Sequence, residues 1–433
     1  MGEDDYGLGR IGHLEETREL DTFPVDKDVH DRHVHYPRMS ELPLSGLRVV
    51  DCSTVVAGPR IAMYLGDFGA DVIKVEHPRG DDTRHFGTER DGVSMYWKLV
   101  SRNKRCITLD LSKGRDIARQ LIATADVLIE NFRPGTLERW DLAPESLLRD
   151  NPKLVIARVT GFGQDGPYAK RPGFATLAEA MSGLASITGE PDGPPILPPI
   201  ALADEVTGLV GTWAVMIALY HRDVHGAGGQ VLDLSLYESL MQLLGPLPLA
   251  WDQLRYLQPR MGSQLPYSVP RNAYKCKDGK WVGLSASAQS VAMRMFDAIE
   301  RPELKDDPRF ATHAARSEHR EAIDHAIAEW MALHSREDAI RIFEEHDAAL
   351  APIYDMSEFF EDEHVQARRS LASVEDADWG PITMQGVHPR MSVTPGRIAS
   401  AGPSELGAHN AEVYGELGLD ESDLQTLRAD GII

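Results

Sequence analysis

The stretch Leu47-Arg48-Val49-Val50-Asp51-Cys52-Ser53-Thr54-Val55-Val56-Ala57-Gly58-Pro59-Arg60, continued by Ala70-Asp71-Val72-Ile73-Lys74-Val75-Glu76, decides the fold. Residues 47–51 are a short β-branched run, as a buried strand requires. A loop follows at 53–59, a helical pattern at 60–69 and a second strand at 70–76. Strand, turn, helix and strand at this spacing form a βαβ unit, whose strands lie parallel because the helix carries the chain back across the sheet. The pattern recurs downstream: 106–109, 127–130 and 154–159 read as strands, with helices at 114–123 and 144–150. The alternation predicts an α/β fold with an open, Rossmann-like parallel sheet and ligands at the carboxyl ends of its strands.

Dinucleotide-binding dehydrogenases share this frame, so NAD has to be weighed. The first turn, Val55 to Arg60, has no G-x-G-x-x-G, and Pro59 suits a pyrophosphate cradle poorly. Glu76 ends the second strand where a ribose-binding acid would sit, but without the glycines it carries little weight.

A second informative segment is Ile200-Ala-Leu-Ala-Asp204-Glu-Val-Thr-Gly208, placed between a Pro-rich stretch at 193–199 and an apolar helical run at 206–220. A carboxylate at a helix entrance can cap the free N–H groups of the first turn, or it can be a nucleophile. Read from the residues alone, Asp204 is a cap before it is a nucleophile, since caps far outnumber nucleophiles.

The formal net charge of -22 over 433 residues argues against non-specific binding to nucleic acid or anionic membranes, which needs a basic face. Cys52, Cys106 and Cys276 form no CxxC pair, so neither a disulfide framework nor a zinc site is expected. No run reads as long enough to span a bilayer, and the acidic N-terminal residues lack the features of a signal peptide; a cytoplasmic protein is expected. Residues 1–42 read as a flexible polar extension in which His30, His33 and His35 make a solvated cluster rather than a metal site. Gly226 to Gln230 turns the chain into a strand at 231–235. Beyond residue 258 the texture changes to a hairpin at 274–284, turning at Asp278-Gly279, and then to amphipathic helices through 346.

Blocks along nearly the whole chain after the extension resemble the class III CoA-transferases, the formyl-CoA transferase and carnitine CoA-transferase family. These are Ala57-Gly-Pro59, Phe68-Gly-Ala-Asp-Val-Ile-Lys-Val-Glu76, Gly80-Asp-Asp-Thr-Arg84, Asn103-Lys-Arg105, Glu130-Asn-Phe-Arg-Pro-Gly135, Asn151-Pro152, Gly161-Phe-Gly-Gln-Asp-Gly-Pro-Tyr168, Ala180-Met-Ser-Gly183 and Leu406-Gly-Ala-His-Asn410, with Asp430-Gly-Ile-Ile433 at the end. Their order and spacing carry the resemblance.

The resemblance implies an interlocked, ring-like homodimer. Each subunit would have a large CoA-binding α/β domain at 43–235, closed by the tail at 405–433, a linker at 236–262, a smaller α+β domain at 263–355 and a return linker at 356–404. It implies no permanently bound cofactor, with CoA and acyl-CoA as substrates alongside a free carboxylic acid. Asp204 matches the family's catalytic aspartate in its Ala-Asp-x-x-Thr-Gly context. Val56, Ala57, His77 and Leu109 align with CoA-binding positions, Asn131, Phe132 and Arg133 form a loop at a strand's end where nucleotide sites belong in this architecture, and Arg139 and Arg171 are candidates for the phosphates. Gly262 and Ser263 match the loop that would cover the nucleophile and hold an oxyanion.

Two rival functions follow from the same comparison. An α-methylacyl-CoA racemase needs a His and an Asp as paired acid and base. Its aspartate position is Ala175 here, and no histidine occurs between Phe86 and Tyr220. A catalytically silent subunit of a heteromeric transferase is the other alternative, against which the retained Asp204 speaks. The acyl group and the acceptor acid are not legible.

Overall fold

The computed structural model describes residues 41–433; the histidine cluster and nearly all of the N-terminal extension lie outside them. Alternating strands and helices assemble as β1 (Arg48–Asp51), α1 (Ala57–Asp67), β2 (Asp71–Glu76), β3 (Lys104–Thr108), α2 (Arg115–Ala123), β4 (Val127–Glu130), α3 (Pro144–Asp150), β5 (Val155–Thr160), α4 (Ala175–Met181), α5 (Leu202–His225) and β6 (Val231–Ser235). The six strands form one parallel sheet in the order β3-β2-β1-β4-β5-β6. Successive residues of a strand face opposite sides, so both faces must be covered. Val49, Val127, Val155 and Ala157 pack with Ile61, Leu65 and Val215 on one face, the face of α1 and α5. Val50, Leu128 and Ile156 pack with Leu121, Ile122 and Leu147 on the other.

The direction of winding reverses between β1 and β4, which are neighbours in the sheet. The loops leaving them diverge to opposite sides and open a crevice, the place where this architecture holds its ligands.

The tail closes the β3 edge. Helices α11 (Asn410–Glu416) and α12 (Glu421–Ala429) send Val413, Tyr414 and Leu424 into the second core. Tyr414 donates to Thr108 O at 2.6 Å, and Asp110 N donates to Ile432 O at 2.7 Å. The core of the sheet runs past residue 235, because Leu236 and Leu240 of α6 (Leu236–Met241) belong to it. The expected linker at 236–262 contains the helix α7 (Leu247–Leu254).

A second antiparallel sheet joins β7 (Arg271–Lys275), β8 (Trp281–Ser285) and β9 (Leu350–Pro352). Helices α8 (Gln289–Ala298), α9 (Arg320–Met331) and α10 (Arg336–Glu345) cover it around Phe296, Ile327 and Phe343, a core of its own. Within the expected return linker, β10 (Leu371–Asp376) and β11 (Gly380–Gln385) pair as a hairpin. It docks through the buried Lys98–Asp376 ion pair at 2.8 Å.

Helix α5 corrects one expectation. At 24 residues it is long and apolar enough, by composition, to cross a membrane. Its first turn carries Asp204 and Glu205, and Thr207, Gly208, Gly211 and Val215 are buried on the face that α1 covers. One face of the helix is thus packed into the α/β layer, while Leu209, Trp213 and Ile217 on its other side are exposed.

Candidate active site

The loop after β1 is held in an unusual shape. Val55 has a φ of 67°, a conformation that a β-branched side chain rarely adopts. Neighbouring elements over-determine it. Lys74 donates to Ser53 O, Thr83 donates to Val55 O at 3.0 Å, and Ser53 N donates to Asp51 at 3.1 Å. Beneath it lie two buried ion pairs, Lys104–Asp51 and Lys74–Asp81, each at 2.8 Å. Lys104 also donates to Pro59 O at 2.8 Å. Buried charges survive only with good geometry and satisfied partners, so this lattice fixes the turn. Burial and the adjacent Asp51 charge push the Cys52 thiol up, which removes it as a nucleophile.

The loop after β4 faces it. Glu130 accepts from Phe132 N at 2.7 Å and pairs with Arg158 at 2.6 Å, setting the start of Asn131-Phe132-Arg133. Phe132 meets Trp140 edge-on, with ring centroids 5.1 Å apart.

Asp204 stands where these loops meet the start of α5. The helix begins at Leu202, with Ala201 in the capping position and no side-chain cap. Asp204 is therefore the third residue inside the helix, and its carboxylate makes no hydrogen bond or ion pair among the described residues. The capping is done from elsewhere: buried Glu179 of α4 accepts from Ala203 N at 3.3 Å. Glu205 is engaged by Arg60 at 2.6 Å. Burial, helped by the charges of Glu205 and Glu179, pushes the Asp204 carboxyl up to about 7. Gly208 permits this placement, because a Cβ there would lie 2.7 Å from Arg60 Cβ. The two helices thus touch near their starts, and Ala57 and Asp204 line the same cleft there.

A cleft of about 210 Å³ runs over the switch point. Val56, Ala57, Asn131, Phe132, Arg133, Arg171 and Asp204, all singled out from the sequence, line it together. The Arg133 guanidinium forms no hydrogen bond or ion pair among the described residues, and Arg171 lies over the Tyr168 ring at 3.6 Å. Both remain available to an anion. Thr54, Val55 and the Gly161 and Gly173 neighbourhood complete the wall; sequence reasoning did not assign them. Their signal was the pair of glycines, since a Cβ on Gly161 would lie 2.5 Å from Gly173 Cα. Ala175 also lines the cleft, so the position of a racemase acid is filled by a methyl group.

The other candidates lie off this wall. Exposed His77 accepts from Arg79 N at 3.0 Å, and Leu109 is a core residue at the end of β3. Exposed Arg139 donates to the Thr136 hydroxyl at 2.8 Å. Gly262 donates to Gly189 O at 2.9 Å, and Ser263 O accepts from Arg271. Glu76 has both carboxylate oxygens on Arg84, at 2.7 and 2.9 Å, and so has none to offer a ribose.

The profile of CoA-transferase family III matches residues 44–410. The chain is 40% identical over 396 residues to a succinyl-CoA–D-citramalate CoA-transferase of Chloroflexus aurantiacus, covering 90% of this chain and 98% of that one. It is 41% identical over 400 residues to the beta subunit of a succinyl-CoA–L-malate CoA-transferase of the same organism, with coverages of 90% and 98%. A solved structure of a CAIB/BAIF family protein from Brucella suis matches with a TM-score of 0.77 at 33% identity, over 87% of this chain and 99% of that one.

Proposed function

Because the chain belongs to CoA-transferase family III and is therefore a transferase, we propose that Asp204 carries CoA from an acyl-CoA to a free carboxylic acid by covalent catalysis. The observation that carries this reading is a carboxylate on the wall of a switch-point cleft that makes no hydrogen bond or ion pair among the described residues, beside two arginines that hold no ion pair among them either. The ionised Asp204 oxygen attacks the thioester carbonyl; the C–S bond breaks, CoA thiolate departs, and an acyl–aspartyl anhydride forms. The thiolate then attacks the aspartyl carbonyl, which leaves an aspartyl-CoA thioester and frees the first acid with one oxygen from Asp204. An incoming carboxylate attacks that thioester, expelling thiolate and forming a second anhydride. Thiolate attack on the new acyl group restores Asp204 and releases the product thioester. Each step exchanges one activated carboxyl for another, so no thioester energy is lost if water is kept out.

Among the described residues no side chain caps the start of α1; Pro59 has no N–H and Arg60 N donates to Val56 O, so the N–H groups of Ala57 and Gly58 would be the ones to meet the oxyanions. Arg133 and Arg171 would hold the phosphates of CoA. The relatives that use succinyl-CoA make that donor, with short hydroxydicarboxylic acids as acceptors, the first pair to test.

A second copy of this chain would cover the outer stripe of α5. Leu209, Trp213, Ile217, Tyr220 and Val224 are all more than half exposed there, an apolar run that a lone chain in water would not keep bare. Mass photometry should find a dimer that survives dilution, and Trp213→Glu with Ile217→Glu should abolish it. A relative named as a beta subunit keeps a heteromeric assembly as the second reading; it would gain support if the pure protein bound acyl-CoA and transferred nothing. The direct test is Asp204→Ala, which should bind acyl-CoA and lose transfer by roughly 10⁴-fold. Substantial residual transfer would contradict the reading.

A further inference from the structure

Asp204 sits at a place where a carboxylate would ordinarily be consumed by its own helix. A side chain at the third position of a helix can reach back to the open N–H groups of the first turn, which attract negative charge. Here Ala201 offers no side-chain cap; Leu202 N donates to Ile200 O at 2.8 Å, and Ala203 N needs an acceptor from elsewhere. Glu179, one of the few buried residues of α4, supplies it at 3.3 Å on Ala203 N. It comes from 24 residues before Ala203 and from a different helix. Asp204 makes no bond to the helix end and lines the cleft instead.

We propose that Glu179 is a positioning residue for Asp204: by occupying the helix end from α4, it keeps the Asp204 carboxylate off its own backbone and turned into the cleft. This rests on the reading of Asp204 as the nucleophile. The Glu179 charge also acts on Asp204 electrostatically, together with Glu205 of the same helix, and both raise its pKa beyond the effect of burial. From the remaining elements, Arg60 of α1 is paired to Glu205, and Tyr96 of the helix Met95–Val100 senses the charges of Asp204, Glu205 and Arg60. Arg133 and Arg171 line the same cleft. Among the described residues, Glu179 alone combines a negative charge with a hydrogen bond to the helix end, so its two contributions can be separated by substitution.

Glu179→Gln keeps an oxygen acceptor for Ala203 N and removes the charge. Transfer should persist, and the acidic limb of its pH–rate profile should move to lower pH by at least about half a unit. Glu179→Ala frees the N–H for Asp204; kcat should fall by about tenfold or more while the acyl-CoA dissociation constant changes by less than about threefold. A further readout needs no turnover: the stability difference between wild type and Asp204→Asn should vary over a narrower pH range when Glu179→Gln is also present. An unshifted limb in Glu179→Gln together with wild-type kcat in Glu179→Ala would overturn the proposal. If Glu179→Ala does not fold, the Gln variant alone decides, an unshifted limb and an unchanged stability profile counting against it. Should Asp204→Asn itself transfer CoA, the nucleophile reading fails, and the stability profile still tells whether Glu179 sets the state of Asp204.

Discussion

Asn131 grips the backbone of Thr54 with both ends of its carboxamide, accepting from Thr54 N at 2.8 Å and donating to Thr54 O at 2.7 Å. These bonds tie the β1 loop to the β4 loop across the crevice where the winding of the sheet reverses. Asn131→Ala would leave both backbone groups of Thr54 without their partner, costing about 1–3 kcal/mol of stability. It should also loosen the wall that meets the acyl-CoA, so calorimetry should show weaker binding along with the lower melting temperature. Unchanged affinity in a destabilised variant would limit Asn131 to a structural role.

The arginines on the wall should behave differently from the one beside it. Arg133→Ala and Arg171→Ala should each weaken CoA binding by roughly fivefold to tenfold and flatten its dependence on salt. A truncated pantetheine thioester, lacking the nucleotide phosphates, should not distinguish these variants from wild type. Arg139→Ala should change CoA affinity less, because Arg139 lies off the cleft and donates to Thr136. The reverse ranking would move the nucleotide away from the switch point.

Asp204 should tax the stability of the folded protein. Its pKa is about 7 when folded and 3.8 when unperturbed, so between those values the folded chain holds a proton that the unfolded chain has lost. Stability then falls as pH rises through that window, and the penalty is complete above about pH 7. Asp204→Asn should therefore be more stable than wild type at pH 8, with the advantage shrinking as pH falls toward 4. Chemical denaturation across this range measures it; a difference independent of pH would mean that Asp204 titrates normally. The same value sets the chemistry, since transfer limited by an ionised Asp204 should decline below about pH 7.

Much of the α/β layer was legible because its elements carry local signals. The strands Val127–Glu130 and Val231–Ser235 and the helix Pro144–Asp150 have the bounds their composition suggests. What stayed hidden depends on distant residues. Helix α5 starts at Leu202 rather than 206, since its cap comes from Glu179 and leaves no mark near residue 200. Helix α4 shows no buried apolar stripe, because Leu177 and Met181 face outward. The left-handed Val55 is fixed by Lys74 and Thr83, both beyond the reach of a local pattern. Within the site, the loop residues at the ends of β1 and β4 could be placed from topology alone. The distinction between Arg133 or Arg171 on the cleft wall and Arg139 beside it required coordinates.

If Asp204 is consumed and regenerated in each turnover, as proposed, its oxygens will record it. In the proposed sequence the released acid leaves with one oxygen from Asp204, and the acceptor acid returns one of its own. Enzyme turning over in ordinary water with an acceptor acid labelled with oxygen-18 in its carboxylate should therefore become labelled at Asp204. Mass spectrometry of the digested protein measures this directly. The account predicts heavy oxygen in the peptide containing Asp204, in no other peptide, and only when an acyl-CoA donor is present. Continued CoA transfer with an unlabelled Asp204 peptide would contradict it.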